Sequence, residues 1–98
     1  MDVVEIARFR LLPETDPAAF AAANDRVTTA YISAQPGYLG SRETASNADG
    51  VWVVIVKWAS IEAAEASMAK FMGDPATQDF VAGMDAESLT MERFTLTG

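Results

Sequence analysis

The apolar run from Val51 to Trp58 dominates the hydrophobic pattern of the chain. Seven of its eight residues are apolar, whereas a strand with one face in water alternates apolar and polar residues. The run therefore predicts a central strand that is covered on both faces. Two helical segments supply too little material to cover both faces of a sheet, so we expect a second copy of the chain to cover the other face.

Three further segments have the pattern of strands. Val3–Leu12 is rich in β-branched and aromatic residues and ends at Pro13. Tyr38–Ser46 is more polar, which is typical of an edge strand, and Ser88–Leu96 is the last strand. The segment Asn47–Gly50 contains Asp-Gly and predicts a tight hairpin turn with positive φ angles.

Helical segments separate these strands. The first begins at Asp16-Pro17, with Asp as the N-cap and Pro at the first helical position, and runs to about Ala34. The second is capped by Ser60 and ends at Gly73. A short helix then follows and carries Phe80, Val81 and Met84.

The resulting order, β-α-β-β-α-β, predicts a ferredoxin-like α+β fold. We expect an antiparallel four-stranded sheet with its helices on one face. The first and third strands should be central, and the second and fourth should lie outside them.

Composition narrows the range of functions. Ninety-eight residues predict one domain, residues 1–98, and a net charge of −7 disfavours nucleic acid and membrane surfaces as partners. The lack of Cys excludes disulfides, and the lack of His removes the commonest metal ligand and general base. The first residues lack the features of a signal peptide, and no apolar run is long enough to span a membrane. We expect a cytoplasmic protein that uses no metal.

The chain resembles the antibiotic biosynthesis monooxygenase type of dimeric α/β barrel over nearly its whole length. Four features carry the resemblance: the opening strand that ends at Pro13, the turn Gln35-Pro36-Gly37-Tyr38, the strand-to-helix junction Val53–Ser60, and Phe71 with Phe80 around Gly73-Asp74-Pro75. The resemblance implies a homodimer whose sheets pair into a barrel, with a small hydrophobic ligand between each sheet and its own helices. Some members oxygenate polycyclic aromatic molecules without metal or flavin, and others degrade haem.

Haem degradation is disfavoured by three departures from that part of the family. Its members use a histidine on the second helical segment, and this chain has none. Their first-strand Asn corresponds to Ala7, and their helical Trp to Ser67 or Met68. The resemblance therefore implies an activity without any cofactor.

The aromatic-oxygenating members use an Asn, a Trp, a Tyr and an Arg, and candidates of these types are Asn24, Trp58, Tyr31 and Arg8. Trp58 ends the central strand and could stack on an aromatic ligand, or it could be a packing anchor. Tyr31 and Asn24 lie near one face of the first helix, where each could hold a ligand oxygen, or simply lie at the rim of the core or in solvent.

Two sets of residues have alternative interpretations. Arg8 and Arg10 point to the same side of their strand, where Arg93 could join them, and they need either a carboxylate or an anionic ligand. The predicted ligand-binding residues share an apolar pattern at helical spacing that also suits a plain core: Phe20, Val27, Met68, Phe71 and Met72.

These observations predict a cofactor-independent monooxygenase that acts on a small aromatic or polycyclic molecule. A binding or accessory protein of the same fold, without chemistry, is the alternative, and an isomerase or lactonising enzyme is a third class. A homodimer and a small hydrophobic ligand are the expected partners.

Overall fold

The computed structural model describes all 98 residues. Its elements are β1 (Val3–Leu11), α1 (Pro17–Ala30), β2 (Tyr38–Ser46), β3 (Val51–Trp58), α2 (Ile61–Phe71), α3 (Gln78–Gly83) and β4 (Met84–Thr95). Short 3-10 turns precede β2 and α3. The antiparallel sheet has the strand order β2-β3-β1-β4, so the predicted ferredoxin-like fold, with β1 and β3 in the centre, is confirmed.

Two boundaries differ from their predictions. Helix α1 ends at Ala30 because Tyr31 leaves the helical conformation and a 3-10 turn carries the chain to Gln35, which is extended before Pro36. Strand β4 begins at Met84, a residue predicted to be helical. Met84 pairs with Leu11, and the ladder then bulges before it continues.

The turn before β2 needs glycine. Gly37 has a φ of 84°, and a Cβ atom there would lie 2.5 Å from the Cβ of Ala63 in α2. Only glycine combines this conformation with such a close approach. The Pro-Gly-Tyr turn of the sequence is therefore the place where the start of β2 packs directly against α2.

The core lies between the helices and one face of the sheet. Alternate residues of β1 and β3, among them Phe9, Val54 and Trp58, form one buried cluster with residues of α1, α2 and α3. The intervening residues, such as Ile6 and Ile55, point to the other face and are only half-buried. This second face, here called the open face, carries no helix.

Candidate functional site

A cavity of about 130 Å³ lies between the sheet and the helices α2 and α3. Fourteen of its 17 lining residues are hydrophobic. All four strands, both helices and the 3-10 turn after α1 contribute to its wall: Glu5, Ala7, Phe9, Ile32, Arg42, Val54, Val56, Ser67, Met68, Phe71, Met72, Phe80, Val81, Met84, Ala86, Leu89 and Met91.

The cavity reaches the surface between the end of α2 and strand β4. Met72 is 62% exposed and Leu89 is 38% exposed, and both belong to its wall. The deeper wall is closed, since Phe9, Val54 and Val56 are buried. A molecule inside would therefore be shielded from water on most sides.

Two charged residues of the wall belong to one row across the sheet. Arg42 lies opposite Val56, Val56 lies opposite Glu5, and Glu5 lies opposite Arg93. Residues directly opposite one another project to the same face, so the whole row points toward the helices. The row places a cation at each edge of the sheet and a carboxylate between them.

Glu5 and Arg93 neutralise each other. The Nε atom of Arg93 donates to the Oε2 atom of Glu5 at 2.7 Å, and Glu5 is 6% exposed. The possibility that Arg93 joins Arg8 and Arg10 is therefore wrong. The register of β1 and β4 sets Arg93 opposite Glu5, on the face that the helices cover.

Arg42 has no such carboxylate. Its Nη1 atom donates to three neutral oxygens of α1: the backbone oxygen of Asn24 at 3.2 Å, the Oδ1 atom of Asn24 at 2.8 Å and the Oγ1 atom of Thr28 at 2.9 Å. The guanidinium carbon also lies 5.5 Å from the centre of the Phe80 ring, which is within cation–π range.

Burial lowers the pKa of Arg42 to about 10, and the nearby Tyr38 and Asp25 offset part of that effect. At neutral pH the guanidinium therefore keeps its charge while it lies against an apolar wall. Such a charge favours an anion beside it, because an apolar wall screens the attraction less than bulk water does.

The structure brings three of the five predicted ligand-binding residues to the cavity: Met68, Phe71 and Met72 line it. Phe20 and Val27 lie elsewhere in the core and do not reach the wall. The ring of Phe20 instead packs against the rings of Phe9 and Trp52.

None of the four predicted catalytic residues lines the cavity. Trp58 is 1% exposed, and its indole N–H is buried without an acceptor. Tyr31 is buried, and its hydroxyl donates to the backbone oxygen of Ser67. Asn24 contacts Arg42, as described above, and donates to the Oγ1 atom of Thr44. Arg8 is exposed on the open face, opposite Val53.

The polar residues of the wall, Glu5, Arg42 and Ser67, are absent from the predicted site. Arg42 belongs to the strand interpreted as a polar edge, and its position depends on the register of the β2–β3 hairpin. No signal in the sequence alone identifies it, because the register decides whether Arg42 and Thr44 share a face with the buried residues of β3.

No group of three His, Cys, Asp or Glu side chains comes together as metal ligands would. None of the helices has the length and the apolar character that crossing a membrane requires.

Comparisons with known proteins place this geometry in context. The family model described as antibiotic biosynthesis monooxygenase matches residues 2–83. SnoaB, a cofactor-independent oxygenase from Streptomyces nogalater, is 21% identical, with a TM-score of 0.78 over 99% of this chain and 94% of SnoaB. Rv0793 from Mycobacterium tuberculosis is 20% identical, with a TM-score of 0.69 over 100% and 97% of the two chains. No curated protein matches the sequence.

Proposed function

Because the chain belongs to the antibiotic biosynthesis monooxygenase family, we propose that it binds a small aromatic molecule in the cavity and oxygenates it with O₂, without metal or flavin. The observation that carries the proposal is the apolar cavity between sheet and helices, with the charge of Arg42 on its wall. The similarity in fold to SnoaB, named as a cofactor-independent oxygenase, supports the same activity.

The reaction requires a site that excludes water and a group that stabilises an anion. An electron-rich phenol or enol loses a proton, and a carbon of the resulting anion forms a bond to O₂. The peroxide takes up a proton, its O–O bond and the C–H bond of the same carbon break, and water leaves, so that one oxygen atom stays as a carbonyl. The apolar wall excludes solvent, and the guanidinium of Arg42 stabilises the oxyanion.

Glu5 is the one carboxylate of the wall, and its Oε2 atom is engaged in the ion pair with Arg93. We therefore assign the loss of the proton to the acidity of the substrate itself, which the charge of Arg42 increases. Asn24 acts as a positioning residue, since its Oδ1 atom holds the Nη1 atom of Arg42.

Ligand binding without turnover is the second candidate function. It is favoured by the scarcity of candidate bases on the wall, where Glu5 is the only carboxylate and is already paired with Arg93. A protein of this kind would store or deliver an aromatic molecule and would consume no oxygen.

A second copy of the chain is the proposed partner for the open face. This face presents Val4, Ile6, Val53 and Ile55, all half-buried, and Phe94, which is 47% exposed. Arg8 and Glu92 also project from it, so a two-fold pairing of identical faces can set opposite charges against each other. The resemblance to a dimeric barrel supports this assembly.

Oxygen consumption tests the activity. Single-ring hydroquinones and three-ring anthrones are incubated with the protein in an oxygen electrode, and we expect uptake above the buffer rate with the single-ring compounds. Ala7→Leu, which fills the cavity, should abolish it, whereas Ala21→Leu on the exposed side of α1 should leave it unchanged. Uptake equal to buffer, with tryptophan fluorescence still quenched by the compound, would leave binding alone.

A further inference from the structure

The charge of Arg42 is not paired with a carboxylate of the chain, and this affects which ligands the cavity can bind. All three hydrogen bonds of its guanidinium leave from Nη1, and every acceptor is neutral. The Nε and Nη2 atoms donate to no atom of the chain, and the single ion pair of the molecule is elsewhere, between Glu5 and Arg93. The Nη1 side of the guanidinium is thus held by α1, and the Nε and Nη2 atoms remain available as hydrogen-bond donors.

The same row of the sheet contains a second arginine, which is paired with a carboxylate and can be compared with Arg42. Arg93 lies directly opposite the carboxylate of Glu5, whereas Arg42 is two strands away from it. Neighbouring strands are about 4.8 Å apart, so the Cα atoms of Arg42 and Glu5 are separated by roughly 10 Å. Arg42 is half-buried, and Asp25 is near it but forms no ion pair with it. Partial burial of a charge without a bonded carboxylate is costly, so its presence on a cavity wall indicates that a compensating anion comes from outside the chain.

The size and lining of the cavity limit the rest of the ligand. A dry cavity of about 150 Å³ suffices for one benzene molecule, and the cavity here has about 130 Å³. The wall supplies aromatic and thioether groups, including Phe71, Phe80 and Met68, and these pack well against a flat ring. A single ring fills this space, whereas a fused ring system would project through the mouth between α2 and β4.

We propose that this cavity takes a single-ring aromatic molecule as its anion, with the anionic oxygen, from a phenolate or a carboxylate, paired with the free side of the Arg42 guanidinium. The inference rests on the proposed function, because it assigns the substrate class of the same cavity. It also gives Arg42 a role in selecting the ligand, since a neutral ring of the same shape leaves the charge of Arg42 unpaired.

The test compares three probes of one shape that differ in charge: 4-nitrophenol, 4-nitrobenzoate and neutral nitrobenzene. Binding to the 98-residue chain is measured by calorimetry at a pH where the first two are ionised. We expect at least one of the two anions to bind about tenfold to a hundredfold more tightly than nitrobenzene, as a charge-assisted hydrogen bond in a dry site requires. The order of the two anions shows whether a phenolate or a carboxylate is the better source of the oxygen.

A second readout follows the phenolate itself. At a pH where half of the 4-nitrophenol is ionised, adding the protein should raise the visible absorbance of the phenolate. Arg42→Met should remove this increase and weaken anion binding about tenfold or more, with nitrobenzene unaffected. Arg26→Met, a matched change at an exposed position of α1, should alter neither.

The outcomes separate this inference from the proposed function. Equal binding of all three probes, or full retention of anion binding in Arg42→Met, overturns the anionic ligand while the aromatic cavity stands. Failure of every probe to bind overturns both. Should Arg42→Met fail to fold, the comparison of charged and neutral probes on the unaltered protein decides the matter alone.

Discussion

The hydroxyl of Tyr31 donates a hydrogen bond of 2.6 Å to the backbone carbonyl oxygen of Ser67, which joins the end of α1 to the middle of α2. Both residues are buried. We expect Tyr31→Phe to lower the free energy of unfolding by about 1 kcal/mol, measured by urea denaturation, and to change ligand affinity and oxygen uptake by less than about twofold.

Tyr38→Phe serves as the control for this variant, since the Tyr38 hydroxyl forms no hydrogen bond within the chain and its removal should leave stability unchanged. The same experiment tests the catalytic role that the sequence predicts for Tyr31. A loss of turnover in Tyr31→Phe that is much larger than its loss of stability would support that role and contradict our expectation.

Asn24→Asp offers Arg42 a carboxylate from within the chain. The side chains are nearly the same size, and the Oδ1 atom of Asn24 already accepts from Arg42 at 2.8 Å. An internal ion pair should neutralise the guanidinium and weaken the binding of 4-nitrophenolate about tenfold, by calorimetry, while the protein remains as stable as before. Thr28→Val removes a neutral acceptor of Arg42 without adding charge, and it should have a smaller effect. Tighter anion binding in Asn24→Asp would contradict this expectation.

Arg42→Met should not destabilise the unliganded protein, although the residue is largely buried. Burial lowers the pKa of Arg42, which means that the folded state disfavours its charge. The guanidinium is protonated at neutral pH in both the folded and the unfolded chain, so its removal relieves that cost and offsets the three lost hydrogen bonds. We expect a free energy of unfolding that is unchanged or higher by up to about 2 kcal/mol in thermal denaturation. A decrease of about 2 kcal/mol in the free energy of unfolding would show that Arg42 is chiefly a structural residue.

Arg93→Met should be destabilising, because it leaves the carboxylate of Glu5 buried and alone. The Glu5 side chain is 8% exposed and that of Arg93 is 23% exposed, so the loss should be about 2 kcal/mol, below the value for a fully buried pair. Adding Glu5→Gln to Arg93→Met removes the orphaned charge and should restore part of the stability. Additive effects in this double-mutant cycle would mean that the two side chains do not interact.

Val53 and Val54 are neighbours in β3 that point to opposite faces of the sheet. Val54 is 5% exposed beneath the helices, whereas Val53 lies on the open face. Val54→Asp should therefore abolish folding, as seen by circular dichroism. Val53→Asp should leave a folded chain that has lost its self-association, as seen by light scattering at micromolar concentration. If light scattering shows that the unaltered protein is a monomer, the proposed pairing of two open faces is wrong.

The fold was predictable because each strand and helix carries a strong local signal. The apolar run of β3 marks the centre of the sheet, and Asp16-Pro17 and Ser60 mark the starts of α1 and α2, where their side chains cap the helices. The start of β4 was missed because Met84–Glu87 has no β-branched or aromatic residue and contains Asp, Ala and Glu, which are depleted in strands. Pairing with β1, rather than local preference, makes this segment a strand.

The polar row of the cavity depends on the length of one turn. A two-residue Asp-Gly turn would pair Ala48 with Val51, which would set Arg42 opposite Lys57 and turn it to the open face. Asn47 instead bonds directly to Val51, so the loop has three residues, only Gly50 has a positive φ, and Arg42 lies opposite Val56. A shift of one residue exchanges the two faces of a strand, and the sequence does not decide between these turns.

The helical periodicity of α1 located its buried face correctly but not the contacts of that face. Asn24, Val27 and Tyr31 are all buried, as their spacing indicates. Their polar atoms are satisfied by Arg42, Thr44 and Ser67, which lie on β2 and α2. Spacing along one helix carries no information about which residues of another element meet it.

The close approach of Gly37 to Ala63 determines how a guest molecule can enter. The first turn of α2 rests on backbone at Gly37, and its centre is tied to Tyr31, so neither part can lift without breaking the packing beneath it. The side chain of Met72, just after the last turn of α2, is largely in solvent and lies at the mouth of the cavity. We therefore expect ligands to enter and leave the cavity at the C-terminal end of α2, when methionine side chains there rotate. A substitution of Met72 should change the rate of ligand exchange far more than a substitution of Ala63.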